Sequence, residues 1–190
     1  MSIEPGYIFY LGGFDKRKNL SAVIRAFAIV KGACDETVLV IAGKLPQEDT
    51  PFTPDPRRLA AEAGLPQNSV RFLGFVPESA KPALYRGARL FIFPSEYEGF
   101  GYPPLEALAC GTPVVGSHTA SMPEIVGDAG VLLAPSDTEG LAGAMIHILT
   151  DDGYHAELRH RAINQAAKFS WQRTAVLTFD AYHQALSLYA

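Results

Sequence analysis

The chain has little of what secreted and membrane proteins depend on. Its 190 residues include only two cysteines, Cys34 and Cys110, too few and too far apart for a disulfide framework. No apolar stretch approaches the roughly 18 residues of a membrane span. The N-terminus also lacks the basic segment and apolar segment of a secretion signal. These absences predict a cytoplasmic protein with two buried free thiols.

Basic faces and metal-ligand patterns are also missing. Lysine and arginine number 16 against 20 acidic residues, which argues against a broad nucleic-acid-binding surface. The five histidines lack ligand spacing, and His155 and His160 fall in an expected surface helix. Gly43-Lys44 lacks the rest of a P-loop, and no G-x-G-x-x-G opens the first helix, which disfavours a dinucleotide-dependent oxidoreductase. We therefore expect no metal and no redox cofactor.

What is present is a regular alternation of short apolar runs with helical patterns. Leu20, Val23, Ile24 and Phe27 illustrate the helical spacing of apolar residues that follows the first run. The alternation predicts an α/β fold, namely a doubly wound, Rossmann-like parallel sheet of about six strands with helices on both faces. The predicted strands are Tyr7–Leu11, Val38–Ala42, Val70–Leu73, Leu90–Phe93, Thr112–Val115 and Val131–Leu133.

The remaining segments divide into helices and one proline-rich loop. Four prolines between residues 45 and 56 exclude a helix there. No linker or repeat interrupts the chain, so residues 1–190 are predicted to form one domain. Besides the helix that begins at Leu20, the helix that ends at Gly111 and the stripe from Leu141 to Leu149, the predicted helices are 57–63, 78–86, 157–168 and 170–188, the last capped by Ser170.

The most informative loop follows the fourth predicted strand. Gly99 and Gly101 allow close approach to a ligand, and Pro103 and Pro104 suit the first turn of a helix. Unpaired N–H groups at a helix start form an anion site. We therefore expect the amides of residues 99–105 to hold a phosphate.

Two acids, Glu98 and Glu106, bracket this turn. A phosphate would repel a carboxylate, so each acid is better suited to accept hydrogen bonds from hydroxyls on either side of the phosphate. A sugar, a diphosphate and a ribose fit that order. An alternative is that Glu98 is a solvated loop residue and that Glu106 only stabilises the first helical turn.

The segment from Ser95 to Val115, with its E-x7-E pair, resembles the signature of the retaining glycosyltransferases of the GT-B fold, family four. The resemblance runs from Leu11 to about Trp171 and matches the C-terminal, donor-binding half of that family. It implies a catalytic role for Glu98 at the sugar hydroxyls and a ribose contact for Glu106. It further implies that no metal is required and that the donor contacts at this turn come from Gly99, Phe100, Gly101, Tyr102 and Leu105.

Two further loops carry the same resemblance. The loop from Gly12 and Gly13 to Lys18 is similar to the family's G-x-x-x-x-R-K-N loop, which implies that Lys18 and Arg17 neutralise the leaving phosphate. Many relatives have the arginine where this chain has Gly13, and Arg17 is its substitute. Phe72–Pro77 resembles an F-x-G-x-V segment, which implies that Val76 contacts the nucleobase. The alternatives are a solvated basic loop and an apolar turn packed into the core.

The resemblance implies a domain that binds a nucleotide-diphosphate sugar and serves a transferase with an unknown acceptor. The R-K-N-L form of the first loop is similar to that of mannosyltransferases that use GDP-mannose, with a UDP sugar as the alternative. The acceptor would bind an N-terminal half, which does not precede Met1, and the helix of residues 170–190 would cross to it. The chain alone is then expected to bind a nucleoside diphosphate weakly and to transfer no sugar. Peripheral association of the full-length protein with the inner face of the membrane stays open, as does a non-catalytic nucleotide-sugar-binding module.

Overall fold

A computed structural model describes residues 3–188 of the chain. Within them, six parallel strands form one sheet in the order β3-β2-β1-β4-β5-β6, and helices cover both faces. The predicted fold class is confirmed. Residues 1, 2, 189 and 190, which the predicted domain and final helix include, lie outside the described range. The strands are β1 Tyr7–Leu11, β2 Leu39–Ala42, β3 Val70–Gly74, β4 Ala88–Phe93, β5 Val114–Ser117 and β6 Gly130–Leu133.

The helices pack on the sheet and on one another. The first helix contacts the sixth, and the fourth contacts the seventh. Short 3-10 turns precede the first and third helices, at Lys16–Lys18 and Glu78–Ala80. The helices are α1 Leu20–Ala33, α2 Pro56–Glu62, α3 Lys81–Gly87, α4 Tyr102–Ala109, α5 Met122–Val126, α6 Thr138–Thr150, α7 Asp152–Ala166 and α8 Trp171–Leu188.

The core follows from the apolar strands. Every residue of β1, β2 and β5 is buried, as expected for strands with helices on both faces. The rings of Phe9 and Phe91 each lie 5.3 Å from the ring of Tyr85, centroid to centroid, which joins α3 to the centre of the sheet. The outer strand β6 is only partly buried.

Several element ends differ from the predicted ones, and one short helix was not predicted. β5 begins at Val114, since the Thr112 N–H donates to the Ala107 carbonyl and closes the end of α4. α7 begins at Asp152 because the Asp151 carboxylate caps it, accepting from the Tyr154 N–H at 2.8 Å. α5 was not predicted, since a five-residue helix is too short for a periodic pattern.

Two expectations about burial are met only in part. α7 is the surface helix that was expected, with His160 exposed, but His155 is 8% exposed and lies on its inner face. α7 turns this residue inward together with Leu158 and Ala162. Cys34 and Cys110 are free thiols as expected, but both are partly exposed.

α8 differs from every other helix in that none of its residues is buried. Ser170 caps it as predicted, with its Oγ accepting from the Arg173 N–H at 3.2 Å. Trp171 is 75% exposed and Leu188 81% exposed. The apolar residues of α8 therefore lie in solvent.

No helix between residues 3 and 188 is both long enough and apolar enough to cross a membrane.

Candidate functional site

The strand order places the candidate site. The chain runs outward from β1 to β3 on one side and continues from β4 to β6 on the other, so the order reverses between β1 and β4. The loops that follow these two strands, residues 12–19 and 94–101, leave the sheet side by side. Doubly wound sheets bind ligands in the crevice at this point. Both loops are the ones that the sequence analysis selected.

Lys18 and Glu98 meet across this crevice. Lys18 Nζ lies 2.6 Å from Glu98 Oε1, and the two side chains are 19% and 14% exposed. Nζ also lies 5.4 Å from the centroid of the Phe93 ring. Because the pair is largely shielded from water, its attraction is stronger than that of a surface ion pair. The structure thus brings together two residues that were predicted to act at one site.

Arg17 has a different position from Lys18. Its guanidinium is 55% exposed, and its Nε donates to Asp15 Oδ1 at 3.0 Å. Its carbonyl accepts from the Glu96 N–H at 2.7 Å and from Ser95 Oγ at 3.0 Å. Arg17 therefore joins the two loops through its main chain, while its charge lies at the exposed rim of the crevice.

Asn19 ties three loops together and was not selected from the sequence. It has the left-handed backbone angle φ 54°, which asparagine tolerates better than most residues. Its side-chain amide donates to the carbonyls of Pro94 at 3.3 Å and Pro135 at 2.7 Å. The residue after Lys18 thereby fixes the loops that follow β4 and β6.

Hydroxyl groups after β5 hold the Glu98 loop from the other side. Ser117 Oγ and Thr119 Oγ1 both donate to the Ser95 carbonyl, the second at 3.2 Å. Ser121 Oγ donates to the Glu98 carbonyl at 3.0 Å. The segment Ser121–Glu124 therefore lies beside the Glu98 loop through its serine. Glu124 is exposed and has no recorded contact with the Glu98 loop.

The amide cradle at the start of α4 is smaller than predicted. Gly101 has φ 104°, so the chain enters the helix through a left-handed residue. Within residues 3–188, no acceptor pairs with the N–H groups of Gly99, Phe100, Gly101 and Tyr102. The Leu105 N–H donates to the Gly101 carbonyl at 3.1 Å, so it is not among the unpaired donors. Two prolines between them have no N–H, which leaves four donors.

The glycines of the first loop allow it to approach its neighbour closely. Gly12 follows β1 directly, and a side chain on Gly43 would meet the Gly12 carbonyl oxygen at 2.1 Å. The Gly13 carbonyl accepts from the Tyr10 hydroxyl at 2.7 Å. The loops after β1 and β2 thus pack main chain against main chain because Gly43 has no side chain, while ligand contacts of Gly12 and Gly13 stay a prediction.

Glu106 has partners of its own. Its Oε2 accepts from the Tyr85 hydroxyl at 2.8 Å, and its Oε1 lies 3.9 Å from Lys81 Nζ. Its side chain is 37% exposed. No recorded contact joins Glu106 to Lys18 or Glu98, so the two predicted acids are held by different groups. Tyr85 and Lys81 were not selected from the sequence, because only the fold places them beside α4.

Val76 and two aromatic residues of the α4 turn complete the predicted set. Val76, in the segment after β3, is 9% exposed and packs in the core. The rings of Phe100 and Tyr102 lie 4.8 Å apart, centroid to centroid. With the Leu105 side chain and Trp171, they line a groove of about 430 Å³ beside the cradle.

The acidic side chains of the described site residues do not form a cluster. Among the described residues, no three His, Cys, Asp or Glu side chains lie close enough together to hold a metal ion. The groups available to an anion are the Lys18 ammonium, the Arg17 guanidinium at the rim and the four amides. The groups available to hydroxyls are the carboxylates of Glu98 and Glu106.

Several known proteins are similar to this chain in sequence or in structure. The chain is 36% identical over 178 residues to O-antigen chain mannosyltransferase B of Escherichia coli, covering 93% of this chain and 45% of that protein. It is 34% identical to a glycogen synthase of Mycobacterium tuberculosis, with coverages of 94% and 42%. The structure is similar to the sucrose-phosphate synthase (tll1590) of Thermosynechococcus elongatus, with a TM-score of 0.82 and 26% identity, covering 99% of this chain and 47% of that one.

The chain thus spans less than half the length of these relatives. The family model described as "Glycosyl transferases group 1" matches residues 3–169, which include both loops of the crevice and the whole of α4. The Lys18–Glu98 pair and the amide cradle therefore lie in a chain that belongs to the glycosyl transferases group 1 family.

Proposed function

We propose that this chain is the donor-binding half of a retaining glycosyltransferase of family four. The observation that supports it best is the shielded Lys18–Glu98 pair, whose acid directly precedes four unpaired amides in the loop after β4. A cation and amides bind a diphosphate, and a carboxylate binds sugar hydroxyls. Sucrose-phosphate synthase and mannosyltransferase B, whose names denote sugar-handling enzymes, support the same class.

The chemistry follows from where charge develops. Cleavage of the anomeric carbon–oxygen bond moves an electron pair onto the diphosphate. Lys18 and the amides of residues 99–102 then stabilise the leaving group more strongly in the transition state than before it. Glu98 accepts hydrogen bonds from the sugar and keeps Lys18 in place. Loss of one such donor costs on the order of 2.7 to 4 kcal/mol in transition-state stabilisation.

For the donor, we propose GDP-mannose. The R-K-N-L form of the first loop and the 36% identity to a mannosyltransferase support mannose. A UDP sugar is the alternative, since a glycogen synthase is 34% identical. Val76 would contact the base through its main chain.

The acceptor belongs to a second half of the enzyme in this proposal. The relatives are more than twice as long as the chain, and the apolar residues of α8 lie in solvent, which supports contact between α8 and that half. The arginine and the aspartate of α8 are its only residues with full charges, too few for attraction to an anionic membrane. The site would need no metal, and the enzyme would act in the cytoplasm.

Calorimetric titration with GDP, UDP and ADP tests the site. We expect the chain to bind one of the three, and Lys18→Ala to weaken that binding about tenfold or more, because a charge-assisted hydrogen bond is lost. Lys16→Ala is the matched control. Lys16 lies two residues earlier, is exposed and has no recorded ion pair, so its loss should change affinity by less than about twofold.

Two outcomes contradict the proposal. If none of the three nucleotides binds, the chain is better described as a non-catalytic module that has kept the fold. If Lys18→Ala and Lys16→Ala weaken binding equally, the crevice is not the site. A transfer assay with GDP-mannose and mannosyl acceptors completes the test, because turnover by the chain alone would overturn the division into two halves.

A further inference from the structure

Glu106 is held by a buried phenol that sugar transfer itself does not use. Tyr85 is 1% exposed, and its hydroxyl donates to Glu106 Oε2 at 2.8 Å. The rings of Phe9 and Phe91 fix its ring, and its carbonyl accepts from Thr112 Oγ1 at 2.7 Å. Tyr85 therefore cannot leave the carboxylate without disturbing the core.

The direction of this hydrogen bond is also fixed. Burial, followed by the negative charge of Glu106, raises the pKa of Tyr85 far above its ordinary value. The phenol keeps its proton, so it donates and Oε2 accepts. Oε1 has only the longer contact of 3.9 Å to Lys81 Nζ, whose closer partner is Glu78 at 2.6 Å. One carboxylate oxygen is thus occupied, and the other is left for a ligand.

We propose that Tyr85 is a positioning residue that makes the site selective for a ribose diol. The inference rests on the proposed function, because Glu106 meets a ribose only if a nucleoside diphosphate binds at the start of α4. A carboxylate fixed through Oε2 presents Oε1 in one orientation. A hydroxyl then binds without the entropy cost of ordering the acid. Without the phenol, Glu106 turns freely in its half-exposed position and selects the diol weakly.

The measurement is a ratio of affinities. GDP and UDP are titrated beside their 2′,3′-dideoxy counterparts, which lack both ribose hydroxyls. We expect the wild-type chain to bind the ribonucleotide about tenfold more tightly than the dideoxy form, since a hydrogen bond to a charged group is at stake. In Tyr85→Phe, the ratio should fall to about threefold or less, while affinity for the dideoxy form changes by less than about twofold.

Tyr7→Phe is the matched control. Tyr7 is also buried, and its hydroxyl donates to the Leu84 carbonyl at 2.7 Å, one residue before Tyr85. Its loss removes a phenol hydrogen bond from the same region but leaves Glu106 untouched. We expect this variant to keep the wild-type ratio, which separates positioning of the acid from a general loss of packing.

The outcomes distinguish the two proposals. Absence of binding to every nucleotide overturns the proposed function and this inference together. Binding with a ribose preference that Tyr85→Phe retains overturns the role of Tyr85 alone, as does wild-type binding without any preference. If Tyr85→Phe does not fold, Glu106→Ala replaces it, since Tyr85 then remains in the core. A ratio near one is expected, and an unchanged ratio overturns the inference.

Discussion

Gly99 and Gly101 lie two positions apart in one loop, yet only one of them needs to be glycine for its backbone. Gly101 has φ 104° and ψ 53°, which residues with a side chain rarely adopt. Gly99 has no positive φ, and a side chain there would meet nothing within 4 Å. The chain therefore offers a strained position and an unstrained one beside the same four amides.

We expect Gly101→Ala to lower the free energy of unfolding by about 1 to 3 kcal/mol, because alanine must adopt a left-handed conformation. Gly99→Ala should change it by less than about 0.5 kcal/mol. Urea unfolding followed by circular dichroism measures both. If Gly101→Ala folds but binds nucleoside diphosphate less tightly, the left-handed turn also aims the amides. Equal stability of the two variants would show that the conformation of Gly101 imposes no cost.

At the scale of elements, the sequence predicts those whose burial is uniform. β1 and residues 90–93 of β4 are continuous apolar runs because helices cover both of their faces, whereas the partly exposed Arg89 hides the start of β4. The start of α7 was missed by five residues, because Asp151 as a cap outweighs the weak apolar pattern that follows. Element ends are thus decided by single side chains that periodicity does not detect.

The residues of the site also divide into those that the sequence predicts and those that only the fold brings together. Lys18 and Glu98 could be selected because the spacing of glycines and charges in two loops is local in sequence. Their supports could not, since Asn19 bonds to Pro135, 116 residues away, and Tyr85 bonds to Glu106, 21 residues away. Such pairs exist only after the strands have taken their order in the sheet.

α8 is expected to contribute little to the stability of the domain. A helix of 18 residues with no buried side chain contributes little packing, and isolated helices of this length are marginal in water. We expect the free energy of unfolding of residues 1–169 to differ by less than about 0.5 kcal/mol from that of the whole chain. Circular dichroism is the suitable signal, because the truncation removes the only tryptophan, Trp171.

The control is a deeper truncation. Removal of residues 152–190 also takes away α7, whose Leu158 and Ala162 are buried. The free energy of unfolding of this variant should be lower by several kcal/mol, or the variant should fail to fold. A large decrease in the free energy of unfolding on removing α8 alone would mean that α8 packs on the domain in solution.

At the scale of the whole molecule, stability should depend on the pH through His155. Burial, then the charges of Arg89 and Arg159, lowers the pKa of His155 below its ordinary value of 6.5, against smaller opposing effects of a hydrogen bond with the Arg89 main chain and of the Asp152 charge. Its Nε2 has no hydrogen-bond partner in the described part of the chain. Between the folded pKa and 6.5, the unfolded chain therefore binds more protons than the folded one.

We expect the free energy of unfolding to fall as the pH drops below 6.5, by at most about 1.4 kcal/mol per pH unit for this one group. His155→Leu should remove that part of the pH dependence. His160→Leu, on the same helix but exposed and bonded to Asn164, should retain it. Urea titrations between pH 5 and pH 7.5 measure the free energy of unfolding of the wild-type chain and of both variants. Identical slopes in all of them would mean that His155 titrates as if exposed.

Two of the three cations of the first loop, Arg17 and Lys18, already have the acids Asp15 and Glu98 beside them, and Lys16 is exposed to solvent. Each of the two pairs sums to zero formal charge, so the cations paired in this way exert little long-range attraction on a distant anion. Recognition of a diphosphate would then depend on contacts made after arrival, chiefly with main-chain dipoles. Such contacts are short-ranged, so added salt should screen capture of the donor far less than it screens capture at an unpaired basic cleft.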